Sequence, residues 1–318
     1  MTRWRADTSP HAPHAWSRCA RARRAVTVAC LVLVLVAFSS VAPAAATEPN
    51  PPPVRAEAGL LIDLATGQVL YAKNAGEDRA PASLVKLMTL YLAHEDLEVG
   101  KVRLDDPVVV SHNAARTPRF RMGLAVGDVV PLRTALLGVA VASANDAATA
   151  VAEHLAGTEE AFVARMNATA EELGLTQTVF ANPHGLPDPR QRTTARDIAT
   201  LVGRLITAFP ESRNLLGETE FTWEGRVFRR QISLFRDPGG VTALKTGYTL
   251  EARYNLAVTA VKAGQRLLCI ILGAETRTRS FLDAGRLLRF GFGEPDGPPR
   301  LIPRRARMKS GASRVAPR

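Results

Sequence analysis

Cysteine is scarce in this 318-residue chain, with three in all, at positions 19, 30 and 269. Two fall in an amino-terminal stretch that reads as a removable leader, so no intrachain disulfide is available to the mature chain. The remaining Cys269 sits in the apolar run Leu267-Leu268-Cys269-Ile270-Ile271, the setting of a buried structural thiol and not of a nucleophile. Histidine is sparse too. The six residues at 11, 14, 94, 112, 154 and 184 show no metal-ligand spacing such as H-E-x-x-H, and neither a metal nor a cofactor is expected. Positive charge is missing from the body of the chain. Residues 1–24 carry six Arg against one Asp, and residues 300–318 carry six Arg and one Lys with no acid, so of the total +11 the stretch 25–299 holds only −1. A nucleic-acid enzyme places its positive charge on the folded surface, and no nucleic-acid partner is expected. No internal repeat is visible, and no apolar run reaches the about 20 residues of a membrane span.

What is present is enough apolar sequence, 46%, to bury a substantial core. The basic stretch ending Arg21-Ala22-Arg23-Arg24 precedes an apolar run from Ala25 to Phe38, and Ala44-Ala45-Ala46 offers an A-x-A cleavage site before Thr47. This is the layout of a secretory signal peptide over 1–46; an uncleaved anchor is the alternative. Secretion or periplasmic export follows, with membrane association left open. A Pro-rich extended linker over 47–55 comes next, then a folded body over 56–292, then a Gly/Pro/Arg-rich tail over 293–318 expected to be unstructured.

Within the body, Gly59–Ile62 and Gln68–Ala72 read as a β-hairpin. Pro81-Ala82-Ser83 opens a helix to about His94, proline being suited to a helix's first turn, with Leu87, Leu90, Tyr91 and Ala93 at helical spacing. Residues 101–130 look irregular, with short strands and a Pro-containing loop. Helices are expected over 131–142, 146–155, 158–173 and 194–208. Strands return over 225–233, 244–248, 254–261 and 266–272, before a closing helix over 276–290. Strands at both ends with helices between imply one sheet built from the chain termini and a helical insertion. This is an α+β, or layered α/β, arrangement and not a doubly wound one.

Three short motifs carry the chemistry: Ser83-Leu84-Val85-Lys86, Ser143-Ala144-Asn145 and Lys245-Thr246-Gly247. Acyl transfer by a serine needs a nucleophile, a nearby base and fixed donors for the substrate. Ser83 and Lys86, three apart on a helix, share a face, and Ser83 sits at the positive end of the helix dipole. Lys86 can act as a base only when neutral; burial and a neighbouring cation, for which Lys245 is a candidate, both favour that form. Ser143 could relay a proton from Lys86 to a leaving amine, and Asn145 could bind a substrate carbonyl. Helix capping by Ser143, Asn145 and Asp146 is the plainer alternative. Two further Ser-x-Asn matches, Ser111-His112-Asn113 and Ser212-Arg213-Asn214, read as polar loops. Thr246 and Lys245 can hold a carboxylate, and Gly247 lets a substrate backbone approach; an ordinary strand with a bulge at Gly247 is the alternative.

These residues resemble the penicillin-binding D-alanyl-D-alanine carboxypeptidases of low molecular mass. The likeness runs from about Ala56 to Phe292. It includes Pro81 to Thr89, Ser143-Ala144-Asn145-Asp146-Ala147, Asn182-Pro183-His184-Gly185-Leu186, Thr194-Ala195-Arg196-Asp197 and Lys245-Thr246-Gly247-Tyr248-Thr249. The resemblance implies the serine-hydrolase fold shared with β-lactamases, an antiparallel sheet flanked by helices with a helical subdomain. It also implies removal of the terminal D-alanine from peptidoglycan stem pentapeptides, with β-lactams as inhibitors. Ser83 would be the nucleophile and Lys86 its base, with Ser143 and Asn145 on the opposite wall. Lys245, Thr246 and Gly247 would meet the substrate, the backbone N–H groups of Ser83 and Tyr248 would form the oxyanion hole, and Arg230 would assist carboxylate binding. Three flanks depart from the family pattern: Arg229-Arg230-Gln231, Thr242-Ala243-Leu244 and Ala252-Arg253-Tyr254. Many members carry a β-rich second domain and an amphipathic anchor, for which residues after 292 are too few. The basic tail could instead touch anionic lipid or acidic wall polymer, or simply be solvated. A β-lactamase would need fast deacylation, which one class achieves with a glutamate positioned on a loop, whereas Glu171 and Glu172 fall on an expected helix. A non-catalytic wall-binding protein is the third reading.

Overall fold

The computed structural model describes residues 50–118, 120–230 and 240–295. The expected leader over 1–46 lies outside them. So do Gln231, the end of the strand expected over 225–233, and the tail beyond 295.

The amino-terminal hairpin is β1 (Ala58–Asp63) and β2 (Val69–Lys73). Asp63 shapes its turn by accepting the N–H groups of Ala65 at 2.9 Å and Thr66 at 3.2 Å. A single 3-10 turn, Ala82–Val85, leads into α1 (Lys86–Glu98). Next come β3 (Pro107–Val109), α2 (His112–Arg116), β4 (Val129–Pro131) and α3 (Leu132–Leu137). A π-helical turn over Gly138–Ala142 ends α3. The remaining helices of the insertion are α4 (Asn145–Ala156), α5 (Glu159–Glu172), α6 (Ala195–Ala208) and α7 (Ser212–Gly217). The chain continues through a small ribbon, β5 (Glu220–Trp223) and β6 (Arg226–Arg229), then β7 (Val241–Thr249), β8 (Arg253–Lys262), β9 (Gln265–Ala274) and α8 (Arg277–Gly291).

The main sheet has the order β2-β1-β9-β8-β7, antiparallel at every pairing. Its central strands are apolar on both faces because both faces are covered. Leu268, Ile270 and Leu272 of β9 pack with the helical insertion, while Leu267, Cys269 and Ile271 pack with Ala284, Leu287 and Leu288 of α8. Side chains alternate across a strand, so two covered faces turn alternation into a continuous apolar run. Cys269 is fully buried and burial pushes its thiol pKa up, as befits an inert thiol.

Helix α1 is enclosed on nearly all sides, with Leu87, Met88, Leu90, Tyr91, Leu92 and Ala93 all buried. Burial therefore extends beyond the single expected stripe. The short strands expected within the irregular stretch 101–130 are the β3–β4 ribbon, and α2 is a helix that the expectation did not include. Both decoy motifs start short helices and are not loops. Ser111 caps α2, its Oγ accepting the N–H of Ala114 at 3.0 Å, and the buried Ser212 begins α7 and donates to the Leu205 carbonyl at 3.3 Å.

Candidate active site

The Ser83 turn is clamped between two glycines. Gly247 of β7 lies so close that a Cβ there would sit 3.0 Å from the Ser83 nitrogen and 3.2 Å from the Pro81 carbonyl oxygen. Gly185, at φ +87°, would place a Cβ 2.0 Å from the Ala82 carbonyl oxygen. Asn255 of β8 holds the same turn by donating to the carbonyls of Ala80 at 2.9 Å and Pro81 at 3.1 Å, while its own Oδ1 accepts the Gly273 N–H. Ala82 is forced to φ +49°, an uncommon conformation for a residue with a Cβ.

Lys86 is wholly buried. Its Nζ donates to Asn145 Oδ1 at 2.7 Å and to the His184 carbonyl, and lies 3.2 Å from Ser83 Oγ. Burial pulls its pKa down to about 7, against the opposing pull of the Asp146 carboxylate. A neutral amine has two N–H groups and one lone pair, where the ammonium has three donors. Asn145 and His184 take both N–H groups, and the lone pair is left facing the Ser83 hydroxyl. The His184 ring cannot compete as a base: burial and then Lys86 bring its pKa to about 3.

The opposite wall comes from the π-helical turn, whose last residue leads into Ser143 at φ +54°. π-Turns inside helices recur at functional sites; here the turn aims Ser143 Oγ at Lys245, whose Nζ donates to it at 2.8 Å. Ser143 therefore pairs with Lys245 and not with Lys86. Asn145 lies behind the wall, 3% exposed, accepting from Lys86 and donating through Nδ2 to the Pro118 carbonyl at 2.8 Å; it does not line the cavity. Capping does not explain it, because α4 starts without a side-chain cap. The buried Asp146 gathers the N–H groups of Met122, Gly123 and Leu124 and so pins the preceding segment against α4.

Lys245, Thr246 and Gly247 lie on β7 in unbroken register with Ala257, Leu256 and Asn255, and the strand's irregularity falls between Val241 and Ala243. The bulge alternative at Gly247 is therefore excluded, and the close approach this glycine permits is to the serine turn. Burial lowers Lys245 well below an ordinary ammonium pKa, with the nearby Lys86 and Arg230 cations adding to it. Arg230 donates to the Leu244 carbonyl at 2.6 Å, and burial brings its pKa to about 10. Tyr248 is exposed at the mouth, its ring 4.4 Å from that of Tyr254.

These elements enclose a cavity of about 650 Å³ lined by Ser83, Ser143, Arg230, Lys245, Thr246, Gly247 and Tyr248 among others. It contains a hydroxyl backed by a poised amine, and across from it a second amine, a hydroxyl and a guanidinium that suit an anionic end group. Of the nine residues singled out in the sequence, seven line this space, and Lys86 and Asn145 stand directly behind it. Sequence reasoning missed the His184 carbonyl, Asp146 and Asn255. A main-chain acceptor leaves no residue-type signal, but Asn255 stands out as an amide inside the apolar strand Tyr254-Asn255-Leu256-Ala257-Val258.

The sequence matches the family described as D-alanyl-D-alanine carboxypeptidase over residues 45–276. It is 40% identical over 265 residues to the D-alanyl-D-alanine carboxypeptidase DacC of Escherichia coli, covering 81% of this chain and 66% of that one. The chain thus spans slightly under two thirds of that relative's length. Among solved structures it resembles penicillin binding protein 6B from Escherichia coli, with a TM-score of 0.73 at 37% identity, covering 78% of this chain and 80% of that one. It also resembles Penicillin-Binding Protein D2 from Listeria monocytogenes in the ampicillin-bound form, with a TM-score of 0.66 at 29% identity, covering 76% of this chain and 98% of that one.

Proposed function

The chain belongs to the D-alanyl-D-alanine carboxypeptidase family, and from that membership we propose that it removes the terminal D-alanine of peptidoglycan stem pentapeptides through a Ser83 acyl-enzyme. The observation that carries this reading is the buried Lys86 amine, its two N–H groups occupied and its nitrogen 3.2 Å from Ser83 Oγ.

In the acylation step Ser83 Oγ attacks the carbonyl carbon of the penultimate residue while Lys86 takes the hydroxyl proton. The oxyanion rests on the backbone N–H groups of Ser83 and Tyr248, each such donor being worth about 3–4 kcal/mol to a tetrahedral intermediate. Collapse breaks the C–N bond, and the departing D-alanine nitrogen takes the Ser143 hydroxyl proton, which the Lys245 ammonium hydrogen-bonded to Ser143 replaces. The proton gained by Lys86 passes through water to Lys245, so that Lys86 is neutral again for the second step. Lys245, Thr246 and Arg230 hold the terminal carboxylate. That anion favours the protonated form of Lys245 and so offsets its burial. Water, activated by Lys86, then hydrolyses the ester. A β-lactam presents a strained amide and a carboxylate to the same groups, and acylates Ser83 with nothing to expel.

One class of β-lactamase deacylates rapidly by means of a glutamate positioned on a loop at the site. No Asp or Glu lines the cavity among the described residues, and Glu171 and Glu172 close α5. The domain organisation belongs to the same proposal: export through the leader over 1–46, a linker to 55, the catalytic domain over 56–292, and a basic tail in weak contact with anionic lipid or wall polymer. No helix among the described residues is long and apolar enough to cross a membrane.

The test is release of D-alanine from a stem pentapeptide, with fluorescent penicillin labelling alongside. Wild type should release D-alanine and label; Ser83→Ala should do neither. Absence of release from a labelled wild type would favour the non-catalytic wall-binding reading, and release by Ser83→Ala would remove the serine from the mechanism.

A further inference from the structure

The cavity holds more positive charge than one terminal carboxylate can use. Four basic side chains line it, Arg229, Arg230, Lys245 and Arg277, with no acid among the described lining residues. General basicity is no explanation, because residues 25–299 carry a net charge of −1. The four divide by depth. Lys245 is buried and Arg230 largely so, whereas Arg229 and Arg277 are exposed at the rim.

The rim pair comes from two separate elements. Arg229 ends β6 and is steadied by Glu220 at 2.7 Å, an exposed pair that leaves the guanidinium able to engage a second anion. Arg277 opens α8, its guanidinium over the Phe281 ring at 5.6 Å. The first turn of α8 has no acidic residue. The positive end of a helix favours anions over cations, so an arginine there works against the helix's own electrostatics. An anion bound at the rim would meet both the guanidinium and that helix end.

Taking the D-alanine-releasing reading as its premise, we propose that the preferred substrate carries a second free carboxylate in the acyl part of the peptide, and that Arg229 and Arg277 select it over the amidated form. The deep groups would hold the terminal carboxylate while the rim groups meet the second.

The test uses two synthetic peptides ending in D-Ala-D-Ala, identical except that one side-chain carboxylate of the acyl part is free in one and a primary amide in the other. D-Alanine release is measured with wild type, Arg229→Gln, Arg277→Gln and the double variant. Wild type should favour the acid peptide by about tenfold in kcat/KM at low salt, the scale of two partly exposed ion pairs. The preference should weaken at about 0.5 M salt, and the acid-to-amide ratio should approach one in the double variant. Penicillin labelling reports that each variant keeps a folded site. Equal rates on the two peptides in wild type, or a preference that survives in the double variant, would overturn the selection while leaving the D-alanine-releasing reading intact. Release from neither peptide would overturn both.

Discussion

The pH dependence of Ser83 acylation follows from the environment of one amine. With a pKa of about 7, Lys86 is neutral in roughly 10% of molecules at pH 6, about half at pH 7 and about 90% at pH 8. An ordinary lysine, at the reference value of 10.5, would be neutral in only about 0.03% of molecules at pH 7. The difference is roughly 5 kcal/mol, within the range that full burial of an ammonium produces. The second-order rate of labelling by fluorescent penicillin, measured from pH 5 to 9, should therefore rise about tenfold per unit below pH 7 and level off above about pH 8. A rate that keeps climbing through pH 9, or ignores pH, would refute the assignment of Lys86 as base. Asn145→Asp sharpens the test. It puts a carboxylate where Asn145 Oδ1 now sits, 2.7 Å from Nζ, and should raise the amine's pKa by at least about two units. The ramp should move to higher pH, with labelling at pH 7 falling about fiftyfold. An unmoved midpoint in that variant would count equally against the argument.

Burial of Lys86 also makes folding stability depend on pH. Below about pH 7 the amine is protonated in both folded and unfolded chains, and its burial cost is constant. Between about 7 and 10.5 only the unfolded chain keeps the proton, so wild-type stability should rise by up to about 1.4 kcal/mol per unit. Lys86→Met should therefore lose its advantage over wild type between pH 7 and 9 in urea titrations; a constant difference would contradict the linkage. Gly247→Ala should cost about 1–3 kcal/mol of stability by pushing β7 off the serine turn, and should slow penicillin labelling at least about tenfold; near-normal labelling would show that the close approach is not needed. Gly185→Ala meets both a positive φ and a backbone oxygen, and should destabilise by more than about 3 kcal/mol in thermal unfolding. A small change in Tm would mean that this loop is free to shift.

The reacting groups were legible in the sequence because each sits in a distinctive local setting. Ser83 and Lys86 stand one turn apart at the head of an apolar helix, and Lys245 to Gly247 interrupt a strand pattern with polar residues. The sheet was legible because its hairpins are sequence-local and its central strands are long apolar runs. The π-helical turn over Gly138–Ala142 was not, since Gly-Val-Ala-Val-Ala has the apolar character of the α-helix it follows; a Cβ at Gly138 would meet the Met122 side chain. Enclosure of α1 on nearly all sides carries burial past the stripe of Leu87, Leu90, Tyr91 and Ala93 that the spacing marked. The partners of Lys86 were half hidden for a different reason. Asn145 is a side chain with a motif around it, but its second companion is a carbonyl presented by the 182–186 loop, where Asn182 Oδ1 accepts the Gly185 N–H at 2.7 Å. Such a contact depends on the path of the main chain and not on residue type at the point of contact.

The measurement that bears most directly on the account is an NMR titration of the Lys86 side chain in the Ser83→Ala protein, observing the labelled carbon next to Nζ. A midpoint near pH 7 is the expected result, and it would show the amine poised without reference to any reaction rate. A midpoint near 10 would contradict the claim that this lysine is held neutral to take the serine's proton.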